Sequence, residues 1–321
     1  MAGIWNDGNA VLKDLTAVFE DTRRKMPEPE WKKYCMEVES DGAYEKYAFP
    51  TAVPFPRQWV DERVHRAVDV NLTSQLDNNL YELSLEFAGT LLNDSRAYKG
   101  LEQMVAEAAA AAFSYQQYLV SQLLVNSHTS GYTAYDSVVF HLATGHYYAG
   151  AGNNTINNYL TGTGTTVDVL RTDLAAAIAA MRQYKDDKGK LVNPAMAANA
   201  QNLVVVCPPQ MEYNFRQVLN SAWYPIAIAG SAASGAPGAN VMQGVADLVV
   251  DPYLTDANDW FLQYNGTAYR PFVMQTREPL RVETLGFDSE HYRKTGKVLI
   301  LTRQRMRAGY FAFYRSIRTY N

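Results

Sequence analysis

The hydrophobic pattern of the first 45 residues predicts an arm rather than a domain. Five apolar residues repeat with a helical period and share one face: Val11, Leu12, Leu15, Val18 and Phe19. The segment RRKMPEPEWKKY that follows is charged and broken by proline, which ends the helix. Such a helix has little core of its own. It is expected to dock on another lobe or on another copy of the chain.

An extended segment and a pair of strands are predicted next. The run YAFPTAVPFPR contains Pro50, Pro54 and Pro56, which fix an extended path and exclude a central strand. From Val64 to Phe87 polar and apolar residues roughly alternate around the turn signal Asp77-Asn78-Asn79, which predicts a long two-stranded hairpin. An isolated hairpin is marginally stable, so this one is expected to lie against something else.

The next segment predicts one unusually long helix. Asp94-Ser95 can cap a helix from about Arg96 to Val125, because the segment is rich in strong helix formers and contains no proline. About thirty residues give a length of roughly 45 Å. The run Ala108–Ala112 offers a thin surface on which another element can pack closely.

The middle of the chain predicts an α/β lobe. A loop-rich stretch, GHYYAGAGNNTINNYLTGTGTT, precedes a helix from about Val167 to Tyr184. A short buried strand at Gln201–Cys207 is followed by a helix at Gln210–Asn220 and by a small-residue loop, AGSAASGAPGA.

The remainder is predicted to be mainly β. Short strands are indicated in GVADLVVDPYL, WFLQYNG and FVMQTRE. Lys297–Arg305 and Tyr310–Arg315 are stronger candidates, and we expect them to form an antiparallel hairpin through Met306–Gly309, where Gly309 supplies a permissive backbone. The predicted fold class is therefore α+β.

Composition indicates an ordered protein without a membrane span. Apolar residues make up 47% and charged residues 19% of the chain. No run reaches the roughly 18 apolar residues that cross a bilayer, and the acidic start is unlike a secretion signal, so a cytosolic location is expected. Cys35 and Cys207 fit neither a disulfide framework nor a metal knuckle, and we interpret them as free buried thiols.

Charge is distributed unevenly along the chain. The net charge is −4, but the segment from His291 to Asn321 carries eight Lys or Arg and no acid. The remainder is therefore near −12. Arg303, Arg305 and Arg307 alternate and would project from one face of a strand. This stripe could meet acidic groups of a neighbour, phosphate or solvent.

The candidate catalytic and metal-binding residues do not have the spacing along the chain that such sites require. His141 and His146, with Asp136 nearby, form the best metal-like cluster, but the i, i+5 spacing with a glycine between favours loop histidines. Ser231 and Ser234 lack the spacing of a nucleophile elbow, and no glycine-rich stretch ends in the Gly-Lys-Ser/Thr of a phosphate cradle. The sequence predicts no catalytic residue, cofactor or metal.

Phe-Pro at 49–50 is followed by PFPRQWVDER at 54–63. This pattern resembles the signature that opens the extended loop in the Mu-like head-subunit family of HK97-like capsid proteins, with Trp59 and Arg63 in the matching positions. YDSVVFHLATGH at 135–146 resembles the segment after the spine helix, although Ser137 replaces the usual glycine and Tyr147 the proline. The segments 203–221 and 246–262 and the close RMRAGYFAFYRS are also similar to family segments.

The resemblance implies a shell subunit with five parts. These are an N-terminal arm (1–45), an extended β-hairpin loop region (46–93), a spine helix (94–130), an axial domain (131–245) and a return to the peripheral domain (246–321). It implies hexamers and pentamers of an icosahedral shell around double-stranded DNA, assembled in the bacterial cytoplasm as part of the virion. Implied partners are other copies, a portal protein, a scaffold and non-specifically contacted DNA, with or without a decoration protein and with no membrane.

Three expectations follow for the assembled particle. The arm, the hairpin and the long helix should gain their cover from neighbouring subunits, and deletion of Met1–Tyr44 should leave a soluble lobe that cannot close particles. No covalent crosslink is expected, because the segment Val64–Phe87 contains no lysine. The candidate intersubunit residues are Trp59, Arg63, Asp77, Asn78, Arg303, Arg305 and Arg307.

Two other functions were weighed against the shell subunit. One is another phage particle component, such as a minor head or tail-tube protein. The other is an α/β enzyme with a helical insertion. A shell subunit should sediment as capsomers or very large particles, whereas a stable monomer that turns over a small molecule would favour the enzyme.

Overall fold

The structure is a computed structural model that describes residues 8–49, 56, 58–59, 63, 72–93, 98–149, 155–198, 202–227 and 234–321. The helices in this part of the chain are α1 (Gly8–Lys25), α2 (Gly89–Asn93), α3 (Tyr98–Asn126), α4 (Val167–Gln183), α5 (Pro194–Ala198), α6 (Glu212–Asn220) and α7 (Glu290–Thr295). The strands are β1 (Cys35–Glu39), β2 (Tyr44–Phe49), β3 (Leu72–Asp77), β4 (Asn79–Ala88), β5 (Tyr159–Thr161), β6 (Leu203–Cys207), β7 (Trp223–Ala227), β8 (Ser234–Ala239), β9 (Asp247–Val250), β10 (Trp260–Tyr264), β11 (Phe272–Leu285), β12 (Lys297–Tyr310) and β13 (Ser316–Tyr320).

A four-stranded sheet packs against the long helix α3. Its order is β1-β11-β12-β4, with β1 parallel to β11 and the other pairs antiparallel. On β12 the side chains of Val298, Ile300, Thr302, Gln304 and Met306 are buried, while the residues between them are more exposed. This alternation presents one face of the sheet to α3 and the other outward.

The arm helix α1 docks on its own chain. Leu15 and Phe19 are fully buried in a cluster with Val105 and Ala109 of α3 and Val298 of β12. Of the two docking sites that the sequence allows for this helix, the structure shows another part of the same chain, so cover by neighbouring subunits is not required. The long helix itself is confirmed, and its alanine run provides the close packing surface that the sequence predicts.

The segment that follows α1 completes the core. Trp31 and Tyr34 are fully buried in a second cluster, and the Trp31 backbone N–H donates to Gln117 Oε1 of α3 at 2.9 Å. Tyr34 packs edge-on against Phe272, with ring centroids 6.2 Å apart. The charged, proline-broken segment is thus an integral part of the core.

A five-stranded sheet forms the centre of the other lobe. Its order is β5-β13-β10-β6-β9, and α4 and α6 pack against it. Strands β9, β10 and β13 come from the segment 246–321, so that segment does not return as a whole to the first sheet. The predicted small-residue loop is also wrong in part, because Ser234–Ala239 forms β8 and pairs with β7.

The hairpin predicted for Val64–Phe87 does not form, because β3 and β4 pair with other strands and not with each other. β3 pairs antiparallel with β2, and β4 pairs with β12, so the strands on either side of Asn78 belong to different sheets. The two-stranded ribbon therefore consists of β2 and β3. Residues 64–71 lie outside the described residues.

The predicted C-terminal hairpin is wrong. Lys297–Tyr310 is one continuous strand, and Phe313–Arg315 forms a 3₁₀ turn before β13. Gly309 makes no turn and instead lies under Leu76 of the ribbon, where an added Cβ would approach Leu76 Cδ1 to 2.4 Å. The glycine permits close approach of the ribbon to the sheet.

A Gly309→Ala substitution is expected to cost about 1–3 kcal/mol of unfolding free energy, because the new methyl group overpacks the contact with Leu76. Denaturant unfolding of the soluble subunit measures this cost. The double variant Gly309→Ala/Leu76→Ala should recover part of it, since the shortened side chain makes room. Additive costs in the double variant would contradict this role for Gly309.

Other predictions are also decided by the structure. Cys35 and Cys207 are both free and buried, as the sequence predicts. Within the described ranges, no helix combines the length and apolar character that a membrane span requires.

Candidate assembly surfaces

The outer face of the four-stranded sheet carries the arginine stripe. Arg303 and Arg307 are exposed and Arg305 is half-buried, and they alternate with buried residues along β12. The prediction that these three side chains share one face of a strand is confirmed. In the sheet register, Arg303 lies between Arg281 of β11 and Glu82 of β4.

The positive charge of this stripe is only partly balanced. Arg303 Nε lies 3.9 Å from Glu278 Oε2, and Arg303 Nη2 lies 3.7 Å from Glu283 Oε1. Exposed pairs of this kind contribute about 0–1 kcal/mol each. Directly opposed like charges such as Arg281 and Arg303 are unfavourable. An acidic partner would relieve this repulsion.

The two candidate residues at the predicted hairpin turn differ in accessibility. Asp77 is exposed and accepts a hydrogen bond from Gln75 Nε2 at 2.9 Å. Asn78 is buried, and its Nδ2 donates to Ser40 Oγ at 2.8 Å while its Oδ1 accepts from Gln275 Nε2 at 2.7 Å. Asn78 therefore offers little surface to a neighbouring subunit, because its amide holds β1, β3 and β11 together within one subunit.

Trp59 and Arg63 lie in the segment between β2 and β3. The Trp59 side chain is 64% exposed, and the guanidinium carbon of Arg63 lies 4.9 Å from its ring centroid. This distance is typical of a cation–π contact. The pair presents a large apolar ring and a positive charge together at an exposed position.

The candidate histidines are buried, and the described residues contain no cluster of three or more groups that could hold a metal ion. His146 Nδ1 contacts Asp136 Oδ2 at 2.7 Å, and its Nε2 contacts the Phe140 carbonyl at 3.1 Å. His141 Nε2 contacts Ser316 Oγ at 2.8 Å, and burial lowers its pKa well below the usual value. These rings connect loops to the core.

Comparison with protein families gives two matches that each span more than half of the chain. The phage capsid protein family matches residues 98–315, and the Mu-like prophage major head subunit gpT family matches residues 9–173. The chain belongs to the phage capsid protein family. It is a major capsid protein that forms the shell. Like other phage capsid proteins, it is a component of the virion.

Solved capsid structures share the fold of this capsid protein at low sequence identity. The procapsid of bacteriophage JBD30 is 14% identical with a TM-score of 0.51, covering 97% of this chain and 75% of that chain. The virus-like particle from Pyrococcus furiosus is 11% identical with a TM-score of 0.55, covering 96% and 98%. The capsid of the native GTA particle is 14% identical with a TM-score of 0.52, covering 92% and 91%. The fold is HK97-like. Among curated proteins, no sequence matches the chain.

A buried ion pair beside β10 and β13 of the capsid protein ties the five-stranded sheet to α3 through its arginine, and sequence reasoning missed it. Arg318 of β13 donates through Nε to Asp259 Oδ2 at 2.7 Å, and both residues are buried. Arg318 Nη1 lies 3.4 Å from the Val125 carbonyl and 3.3 Å from Ser127 Oγ at the C-terminal end of α3. In the sequence, Arg318 is one of the eight basic residues between His291 and Asn321, and no local pattern indicates Asp259 as its partner.

Asp251 is a second buried link between α3 and the five-stranded sheet. Its Oδ2 lies 2.5 Å from Ser121 Oγ and 3.2 Å from Gln117 Nε2, and its Oδ1 accepts from the Tyr253 backbone N–H at 3.0 Å. Burial raises the pKa of this carboxyl group, although the hydrogen bonds oppose the shift.

The raised pKa of Asp251 predicts a pH-dependent stability. Because the folded-state pKa lies above the unfolded one, the contribution of this group is fully present below the unfolded pKa and is lost as pH rises through the folded pKa. The unfolding free energy of the wild type, relative to Asp251→Asn, should fall as pH rises from below 4 towards neutral. Urea unfolding of both proteins across this range measures the difference. A difference that is independent of pH would contradict the prediction.

Proposed function

We propose that the capsid protein assembles into hexamers and pentamers of an icosahedral shell that encloses a double-stranded DNA genome. The observation that carries this proposal is the outer sheet face, where Arg281, Arg303, Arg305 and Arg307 lie together beside Leu80, which is 62% exposed. The segment before His291 has a net charge near −12, so another copy offers acidic surface to this face.

The subunit's role is structural, without a catalytic residue or cofactor, and assembly takes place in the host cytoplasm. Its partners are other copies, a portal protein and a scaffold, with or without a decoration protein, and DNA is contacted non-specifically. The peripheral lobe comprises α1, α3 and the four-stranded sheet. The axial lobe comprises the five-stranded sheet with α4 and α6, including strands from beyond residue 245.

The shell is held by non-covalent contacts. Although Val64–Phe87 contains no lysine, the ribbon that forms pairs β3 with β2, and β2 contains Lys46. Lys46 Nζ lies 5.7 Å from the ring centroid of Tyr44 in its own strand. A covalent ladder on a denaturing gel that disappears in a Lys46→Arg variant would overturn the non-covalent shell.

Sedimentation and electron microscopy of the expressed protein, with its phage partners where needed, test the proposal. Closed shells with icosahedral vertices are expected, and nuclease-protected DNA should be present in filled particles. Tubes would favour the tail-tube alternative. A stable monomer under all of these conditions would overturn a shell function.

Charge reversal of the stripe tests the surface itself. The triple variant Arg303→Glu/Arg305→Glu/Arg307→Glu should fail to form particles while the subunit remains folded. The matched control is Arg293→Glu/Lys294→Glu on α7, where both residues are exposed. Normal particles that lack DNA would assign the stripe to DNA instead of a neighbouring subunit.

A further inference from the structure

A pocket lies where the C-terminal end of α3 meets the five-stranded sheet. Its volume is about 140 Å³, and it is partly open to solvent. The described lining contains four side chains that carry or can acquire charge: His128, Asp256, Asp259 and Arg318. Arg318 and Asp259 form the buried ion pair, whereas His128 is exposed. The cluster therefore combines a buried charge with a histidine that solvent protons can reach.

His128 accepts a hydrogen bond from Arg318. The distance from Arg318 Nη1 to His128 Nδ1 is 2.5 Å. A guanidinium has donors but no acceptor, and it keeps its charge at every accessible pH, so it can only donate in this contact. The imidazole nitrogen that faces it therefore carries no proton. This geometry requires the neutral form of His128, because both ring nitrogens are donors in the charged form.

The same nitrogen of Arg318 holds the end of α3 against the sheet. Besides its contact with His128, Nη1 lies 3.4 Å from the Val125 carbonyl and 3.3 Å from Ser127 Oγ. On the sheet side, Nε donates to Asp259 Oδ2. The contact with His128 is shorter than the other two Nη1 contacts, so a change in the charge of His128 acts directly on this junction.

Charged and titratable groups surround His128 on several elements. In the described part of the chain they are Tyr159 of β5, Asp256 and Asp259 before β10, Arg318 of β13, and His141. Tyr159 and His141 stay neutral, because burial raises the pKa of Tyr159 and lowers that of His141. Burial and the Arg318 guanidinium lower the pKa of His128, and the two carboxylates raise it by less, so the net shift is downward.

We propose that His128 is a pH-sensitive switch, which holds the end of α3 on the five-stranded sheet at neutral pH and releases it in mildly acidic solution. Protonation removes the acceptor for Arg318 Nη1 and places a second positive charge beside the guanidinium. The pocket is already partly open, so water can enter when the two cations separate. The inference goes beyond the shell function, because it concerns the fold of one subunit and does not depend on assembly.

The direction of the pH dependence follows from the lowered pKa of His128. The contribution of neutral His128 to stability is fully present above the ordinary histidine pKa of 6.5 in the unfolded chain, and it is lost as pH falls through the lower folded-state pKa. Asp251 has the opposite dependence, because its pKa is raised. Since Asp251 is present in the wild type and in every variant of His128, its contribution cancels in the comparison.

Hydrogen exchange of the full-length soluble subunit tests the switch. The protection of backbone amides in residues 119–129 is measured between about pH 7.5 and about pH 5.5, the range over which histidine changes charge, and is corrected for the intrinsic exchange rate at each pH. The wild type should lose protection in this segment several-fold on acidification. Helix α4 provides the reference within the same molecule and should keep its protection.

Substitutions separate His128 from other titrating groups. His128→Asn places a carbonyl oxygen at the position of Nδ1 and does not titrate, so the protection should stay constant with pH. His128→Ala has no acceptor, so the protection should be low at every pH. The matched control is His291→Asn, which removes a histidine whose Nε2 lies 3.5 Å from Glu86 Oε1 instead of beside a guanidinium. This control should keep the response of the wild type.

The possible outcomes are distinct from those for the shell function. A response that is present in the wild type and in His291→Asn and absent in His128→Asn supports the switch. The same loss of protection in His128→Asn, or no loss in the wild type, overturns it. An equal loss in α4 would show unfolding of the whole subunit and would also overturn it. Shell formation is measured separately by sedimentation, so neither result changes the other.

Discussion

Replacement of Arg318 by methionine is expected to lower the free energy of unfolding of the subunit by about 3–5 kcal/mol, because it leaves a buried charge without its partner. Asp259 is 5% exposed, and its Oδ2 accepts a hydrogen bond from Arg318 Nε and forms an ion pair with Arg318 Nη2. Methionine fills much of the same space but donates no hydrogen bond. Urea unfolding of the soluble subunit, monitored by circular dichroism, measures the loss.

The double variant Arg318→Met/Asp259→Leu is the control for charge. It should recover a large part of the lost stability, since an apolar pair of similar volume often replaces a buried ion pair without cost. Recovery should be incomplete, because the carbonyl groups at the end of α3 also lose the Arg318 donor. A cost below about 1 kcal/mol for Arg318→Met would indicate that the pair behaves like an exposed ion pair.

Local patterns predicted the helices of the core well, because periodicity and capping act over a few residues. The predicted helix from Arg96 to Val125 is observed as α3, Tyr98–Asn126. The short helix α7 was missed, although its signals are local. Ser289 caps it through a hydrogen bond from the Tyr292 N–H, and Gly296 ends it with φ of 69°.

Strand pairing was predicted less well because it depends on distant segments. The partner of β3 is β2, and 22 residues separate the two strands along the chain. The strands β3 and β4 do meet at Asn78, as the turn signal predicts. The hydrogen bonds of its buried amide with Ser40 and Gln275 are not indicated by any local pattern. In β12 the local signal was available, since alternation continues through Met306 to Ala308. A single glycine such as Gly309 does not end a strand when the alternation continues up to it.

One departure from the family pattern now has a physical meaning. Ser137 stands where the resembling family segment has glycine, and its φ is 64°. That conformation costs a non-glycine residue on the order of 1 kcal/mol. The carbonyl of Ala134 accepts the Ser137 N–H at 3.0 Å, so the turn persists despite the side chain. Glycine suits this position because it adopts a positive φ without a steric cost.

Deletion of Met1–Tyr44 is expected to prevent folding, which revises the sequence-based expectation of a soluble lobe. The deletion removes Leu15, Phe19, Trp31 and Tyr34, which are all fully buried, and it also removes strand β1. Four such side chains contribute on the order of 10 kcal/mol by burial of apolar surface. This is comparable to the whole stability of a typical domain. The truncated chain should therefore be recovered as aggregate, as solubility and circular dichroism would show.

Two point variants test the same reasoning within an intact chain. Phe19→Ala on the buried face of α1 is expected to cost about 3–5 kcal/mol, because it opens a cavity between α1 and α3. Lys13→Ala on the exposed face of the same helix should change stability by less than about 0.5 kcal/mol. Equal, small effects would show that α1 is held by neighbouring subunits and not by its own chain. A soluble, cooperatively folding product of the Met1–Tyr44 deletion would contradict this role of the arm more directly, since that product could form only if α1, Trp31 and β1 were dispensable to the core.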